Sequence, residues 1–230
     1  MGSFQNITAV DDFVFPAYVA QPTGVPKGAI VVLQEIFGVN SHIQAVTDGY
    51  AAQGYLTVAP STFHRVQAGV NLGYTPEDIS AGVALKAAAE AIAPQVRLDV
   101  QATLDFAAKQ LPVGGKVGVV GYCWGGLLTW RAACLLTGIS AAVPYYGAGM
   151  TQGAELARQP LCPVLVHFGE QDASIPLDTV KAFAAAQPKV QVQVYAANHG
   201  FNCDHRGAYN APAAKLALER TLAFFAEHLA

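Results

Sequence analysis

Val117-Gly-Val-Val-Gly-Tyr-Cys-Trp-Gly-Gly126 carries an apolar strand into a tight, glycine-flanked turn with Cys123 at its tip. Gly121, Cys123 and Gly125 fill the three defining places of the Gly-x-Ser-x-Gly elbow, with a thiol where that pattern has a hydroxyl. The flanking glycines let strand and following helix approach closely while the central side chain is thrust outward. A cysteine that is only a small buried hydrophobe needs none of these glycines. At the start of a helix the thiol gains from the positive end of the dipole and becomes thiolate when a base is near. Cys123 is therefore read as a nucleophile. Cys134, Cys162 and Cys203 lack this context and read as structural; with no C-x-x-C spacing, all four are expected as free thiols.

Outward from the elbow, further apolar, β-branched runs occur at Ala29–Leu33, Tyr55–Ala59, Lys116–Gly121, Ala141–Tyr146, Pro163–Phe168 and Val190–Tyr195. All but the last lack polar alternation, the signature of a parallel sheet buried on both faces. Val190–Tyr195 alternates through Gln191 and Gln193 and is placed nearer an edge. Phe4–Val10 and Phe13–Ala20, divided by Asp11-Asp12, read as an antiparallel edge hairpin. Helices are expected at Ser41–Gln53 with a Ser cap, Pro76–Ala91, Val96–Gln110, Trp124–Thr137, Leu177–Ala186 and Ala213–Leu229. This alternation gives an α/β, doubly wound architecture with a mostly parallel central sheet, helices on both faces and an N-terminal antiparallel edge; the elbow pattern within it is that of the α/β-hydrolase fold. Pro60–Thr75 has no clear period, and a loop of that length in a compact domain is often functional.

With 230 residues, 53% of them hydrophobic and 13% charged, the chain suits one heavily buried domain and excludes disorder. A net charge of −3 and the absence of a long Lys/Arg run argue against nucleic acid or an anionic membrane as partner. No secretory, myristoylation or membrane-spanning pattern is present, so a cytoplasmic protein, monomer or small homo-oligomer, is expected.

Ligands of open parallel sheets sit at the carboxyl ends of the strands. Glu35, Cys123, Asp172 and His199 each follow an apolar run and should face one crevice. His199, in Ala-Asn-His-Gly-Phe, is free to present its ring there. The order nucleophile, acid, histidine is that of α/β-hydrolases. In Gly169-Glu-Gln-Asp172 both Glu170 and Asp172 compete for the acid, and Asp172, deeper in the turn, is favoured. The oxyanion hole should use the backbone N–H of Trp124 and one from Ile36 or Phe37. Glu35, a carboxylate at a buried strand end, is costly unless paired, and either a salt bridge or a thiol-contacting role accounts for it. His199, Cys203, Asp204 and His205 are metal-ligand types close in sequence, yet they have no partner set elsewhere. No metal or cofactor is expected.

Gln34-Glu-Ile-Phe-Gly38, Gly121-Tyr-Cys-Trp-Gly-Gly126, Gly169-Glu-Gln-Asp-Ala-Ser-Ile-Pro176 and His199-Gly-Phe201 occur in order, and with them the chain resembles the dienelactone hydrolase (carboxymethylenebutenolidase) family over roughly Val14 to His228. The resemblance implies a hydrolase of small esters or lactones. It implies Cys123 as nucleophile, His199 as base and proton donor, Asp172 as its orienting acid, and Glu35 as the carboxylate that contacts the resting thiol and moves when substrate arrives. It also implies an oxyanion hole from the Trp124 and Ile36 amides and a thioester intermediate. Arg206 resembles the family's carboxylate-binding arginine, and Phe37, Tyr145 and Phe201 are the further expected substrate contacts. The family's second arginine is missing from Ser80–Lys86, which leaves Lys86 and Arg65 as substitutes. A hydrolase-fold binding protein or sensor with little turnover is the alternative reading.

Overall fold

A computed structural model describes residues 1–229. The strands are β1 (Ser3–Thr8), β2 (Val14–Ala20), β3 (Ala29–Leu33), β4 (Leu56–Pro60), β5 (Val117–Tyr122), β6 (Ala141–Tyr145), β7 (Leu165–Gly169) and β8 (Gln191–Tyr195). They form one eight-stranded sheet in the order β1-β2-β4-β3-β5-β6-β7-β8. The β1/β2 and β2/β4 pairs are antiparallel and every later pair is parallel. This is the expected mostly parallel sheet with an antiparallel edge. The apolar runs β3 to β7 are buried throughout, whereas β8, at the far edge, keeps Gln191 and Val194 exposed.

The helices are α1 (Ser41–Ala52), α2 (Pro76–Ala91), α3 (Ala93–Lys109), α4 (Trp124–Leu135), α5 (Gly153–Ala157), α6 (Leu177–Ala186) and α7 (Ala211–Leu229). They cover both faces, as two residues of β5 show. Gly118 abuts Phe225 and Leu229 of α7, and Gly121 abuts Gly125 and Thr129 of α4. Positions an odd number apart on a strand lie on opposite faces.

Two local expectations need correction. Asn40, not Ser41, caps α1, its side-chain oxygen accepting from the Ile43 amide at 3.2 Å. The five-residue α5 was not anticipated; it is too short to carry a period. Helix α2 opens as its sequence suggests, with Thr75 and Asp78 in a reciprocal capping box ahead of Pro76. Among the described residues no helix is long and apolar enough to cross a membrane, and all four cysteines are free.

Candidate active site

The elbow forms where β5 meets α4. Cys123 is the N-cap of α4 with φ 57°, ψ −117°, a left-handed region that costs a non-glycine residue on the order of 1–3 kcal/mol. The surroundings hold it there. The Cys123 amide donates to the Tyr145 carbonyl at 3.1 Å. A Cβ at Gly125 would lie 2.2 Å from the Leu33 carbonyl oxygen, so only glycine lets α4 sit against the end of β3. Trp124 is the first residue of α4, where a backbone N–H has no partner within the helix and is free for an incoming anion. Opposite it, the carbonyl of Ile36 is pressed by Gly82 of α2, where a Cβ would come within 2.5 Å.

His199 follows β8 on a short loop, and Gly200 at φ 78° turns the chain away behind it. A side chain there would strike the Arg206 guanidinium. His199 Nδ1 lies 2.6 Å from Asp172 Oδ2. Asp172 is buried after β7, and its other oxygen accepts from the Ser174 amide at 2.9 Å and from the Ser174 hydroxyl. Glu170, the competitor, is exposed. Burial opposes ionisation of Asp172, but the His199 hydrogen bond and charge and the Ser174 donors outweigh it and hold the carboxyl below its ordinary range. For His199, burial disfavours the imidazolium. The negative charge of Cys123 and hydrogen bonds to Asp172 and Cys123 reverse that, raising its pKa to about 10. The arrangement keeps the imidazolium of His199 beside Cys123.

Glu35, fully buried at the end of β3, accepts from two donors. Arg206 Nη1 reaches its Oε1 at 3.2 Å, and the Tyr74 hydroxyl its Oε2 at 3.2 Å. Burial opposes the charge of Arg206, and the charges of Glu35 and then Cys123 outweigh it and raise its pKa. Tyr74 comes from the aperiodic stretch 60–75, whose Leu72 amide donates to the Phe37 carbonyl at 2.9 Å.

The remaining expected contacts fare less well. Tyr145 is fully buried and turns away from the crevice, its hydroxyl 2.6 Å from Thr221 and its ring against His167. Phe201 is fully buried and stacks edge-on under Tyr146, and Phe37 is buried against Tyr74. These three pack the floor of the site and its flank. Arg65 is not a substitute arginine: Asp11 and Asp99 take all of its nitrogens at 2.7–3.0 Å. Lys86 lies half-buried on α2, one turn beyond Gly82.

Sequence reasoning missed Tyr146. It follows the last residue of β6 with φ 36°, and its ring stands edge-on to His199 at 5.1 Å. Its buried hydroxyl has no hydrogen-bond partner and feels the charges of Glu35, Cys203, Cys123 and Arg206. The pair Tyr145-Tyr146 looks alike in sequence, and only the turn at the strand end decides which ring faces the site.

Residues 15–229 match the dienelactone hydrolase family. The chain belongs to that family. Its sequence is 33% identical over 238 residues to the carboxymethylenebutenolidase of Pseudomonas putida, covering 96% of this chain and 94% of the relative. It is 36% identical over 228 residues to a Synechocystis protein named "Putative carboxymethylenebutenolidase", covering 92% and 91%. The crystal structure of a "Putative Dienelactone Hydrolase" from Klebsiella pneumoniae superposes with a TM-score of 0.82 at 30% identity, covering 99% of this chain and 98% of the other.

Proposed function

We propose that this member of the family is a cysteine-dependent hydrolase that cleaves a small, carboxylate-bearing ester or lactone through a thioester. Family membership makes it a carboxylic ester hydrolase. The observation that carries the thiol mechanism is Cys123, held at φ 57° at the elbow, beside a histidine that responds to its charge and whose Nδ1 is 2.6 Å from Asp172.

In this reading the Cys123 thiolate attacks the substrate carbonyl carbon. The oxyanion is taken by the backbone N–H groups of Trp124 and Ile36. Collapse breaks the acyl C–O bond, and the imidazolium of His199 gives its proton to the departing alkoxide or enolate. Neutral His199 then takes a proton from water as hydroxide adds to the thioester carbonyl. The second collapse releases the acid and returns thiolate and imidazolium. Asp172 keeps the ring oriented and the imidazolium favoured throughout. Arg206 is the cation available to a substrate carboxylate, which would compete with Glu35 for it.

The test is Cys123→Ala and His199→Ala assayed on a chromogenic short-chain ester and on a carboxylate-bearing lactone, with mass spectrometry of the acylated wild-type protein. Loss of turnover in both variants and an acyl adduct on Cys123 support the reading. Undiminished turnover in both would sink it.

A further inference from the structure

His199, Cys203, Asp204 and His205 read as metal-ligand types with no partner set elsewhere in the sequence, but the fold brings Glu35 and His42 to Cys203, and His42 to Asp204 and His205. One ligand atom from each of Glu35, His42 and Cys203 lies within 4.8 Å of the other two, and all three residues are buried. His42, on α1, is 3% exposed. Its Nδ1 is 3.0 Å from Asp204 Oδ1, a contact that makes Nδ1 the protonated nitrogen and leaves a lone pair on Nε2. That Nε2 is buried without any hydrogen-bond partner. A carboxylate accepting from the far nitrogen of an imidazole is the usual device that orients a zinc-bound histidine.

The donor chemistry selects the ion. One thiolate, one imidazole and one carboxylate suit zinc or a similar borderline-soft divalent cation, whereas magnesium and calcium take oxygen ligands. Zinc bond lengths of about 2.0–2.3 Å at tetrahedral angles place ligand atoms roughly 3.5 Å apart, so shifts of about an ångström close the cluster. The Tyr74 hydroxyl, 3.2 Å from Glu35 Oε2, flanks the set. Glu35 Oε1 is held by Arg206. A second triplet, His42, Asp204 and His205, extends from the same imidazole to the surface and gives a cation a path in from solvent.

We propose that Glu35, His42 and Cys203 bind a zinc-class divalent cation, with Asp204 orienting His42, and that occupancy inhibits hydrolysis by drawing Glu35 away from Arg206. Binding exchanges the Cys203 thiol proton for the metal: an S–H bond breaks, an S–metal bond forms, the proton leaves to solvent, and no redox change occurs. The inhibition rests on the hydrolytic reading of the site; the binding does not.

Cobalt(II) is the probe, titrated into the full-length Cys123→Ser protein so that the elbow thiol cannot contribute. The expected result is one cobalt per chain with a thiolate-to-cobalt charge-transfer band and intense tetrahedral d–d bands, both bleached by zinc. Adding Cys203→Ala should abolish the charge-transfer band, and adding His42→Ala should weaken binding at least tenfold. Asp204→Asn, a surface change that leaves the core intact, should weaken it about 10–100-fold. No band in Cys123→Ser, a band that survives Cys203→Ala, or unaltered affinity in Asp204→Asn overturns the binding site. In the wild-type protein zinc should slow ester hydrolysis reversibly by chelator, and the Cys203→Ala variant should lose that sensitivity. Cobalt binding as described without zinc inhibition overturns the inhibitory role alone.

Discussion

Arg206 Nη1 donates to Glu35 Oε1 at 3.2 Å, joining a carboxylate with no solvent exposure to a guanidinium that is 21% exposed. The loop after β8 is thereby tied to the end of β3. The same guanidinium feels the charge of Cys123 and is the group proposed to meet a substrate carboxylate. Arg206→Gln removes both roles. KM for a carboxylate-bearing ester should rise on the order of 10–100-fold, the worth of a charge-assisted hydrogen bond, with a much smaller change for a neutral ester. Glu35 would keep only the neutral Tyr74 hydroxyl and lose its counter-charge, so chemical denaturation should show a loss of about 3 kcal/mol. Equal effects on both esters would remove Arg206 from substrate recognition.

In the proposed mechanism Cys123 and His199 act as a unit. Cys123→Ala and His199→Ala should each lower kcat by on the order of 10³-fold or more, and the double variant should fall little further than either single one. Multiplicative losses, measured by single-turnover kinetics, would mean that the two side chains work independently.

His199 is protonated in the folded protein to about pH 10, against an ordinary value of 6.5. A raised folded pKa stabilises the fold fully below the unfolded value, and that stability is lost as pH rises through the folded one. The contribution of His199 should therefore fade between about pH 6.5 and pH 10. NMR titration of the imidazole gives the direct check. Cys123→Ser removes the anionic partner and should bring the histidine titration down towards its ordinary range; an unmoved titration would assign the shift to Asp172 alone.

The sheet and the convergence of Cys123, Asp172 and His199 could be read from the sequence for a physical reason. Continuous apolar strands of β-branched residues force burial on both faces, and strand ends in such a sheet converge on one crevice. Burial and convergence leave side-chain direction open, which is why Tyr145 was expected where Tyr146 stands. A positive φ at a single residue cannot be read from composition. The partners of Glu35 were hidden for another reason: Tyr74 and Arg206 come from loops far apart in the chain, and only the folded sheet brings both to β3. Asn40 displaced Ser41 as the cap because the helix starts one residue later than the first capping-type side chain.

Arg65 separates a structural arginine from a catalytic one. It joins Asp11 to the buried Asp99 of α3, and its guanidinium lies 4.1 Å over the Phe13 ring. Arg65→Ala would strand Asp99, which is 1% exposed, and should lower stability by about 3–5 kcal/mol. In protein still folded at low temperature, KM and kcat should stay within about twofold of wild type, since surface and remote changes act through stability. A selective rise in KM for anionic esters would return Arg65 to the substrate site.

Tyr146 offers the opposite combination. Its hydroxyl is buried and without a partner, a condition that costs the fold on the order of 1–3 kcal/mol. It lies within the field of Cys123, Glu35, Cys203 and Arg206, where a neutral donor is of use only to an anion that arrives or develops there. Burial first, then the charge of Glu35, pushes the phenol far above its ordinary range, so it stays protonated and able to donate. Tyr146→Phe keeps the ring that packs on His199 and Phe201 and deletes the stranded group. Thermal unfolding should move up, equivalent to about 1 kcal/mol or more, while kcat falls by roughly tenfold. A gain in stability with kcat unchanged would make the hydroxyl a defect of packing, and a loss of stability would show that it has a partner in solution.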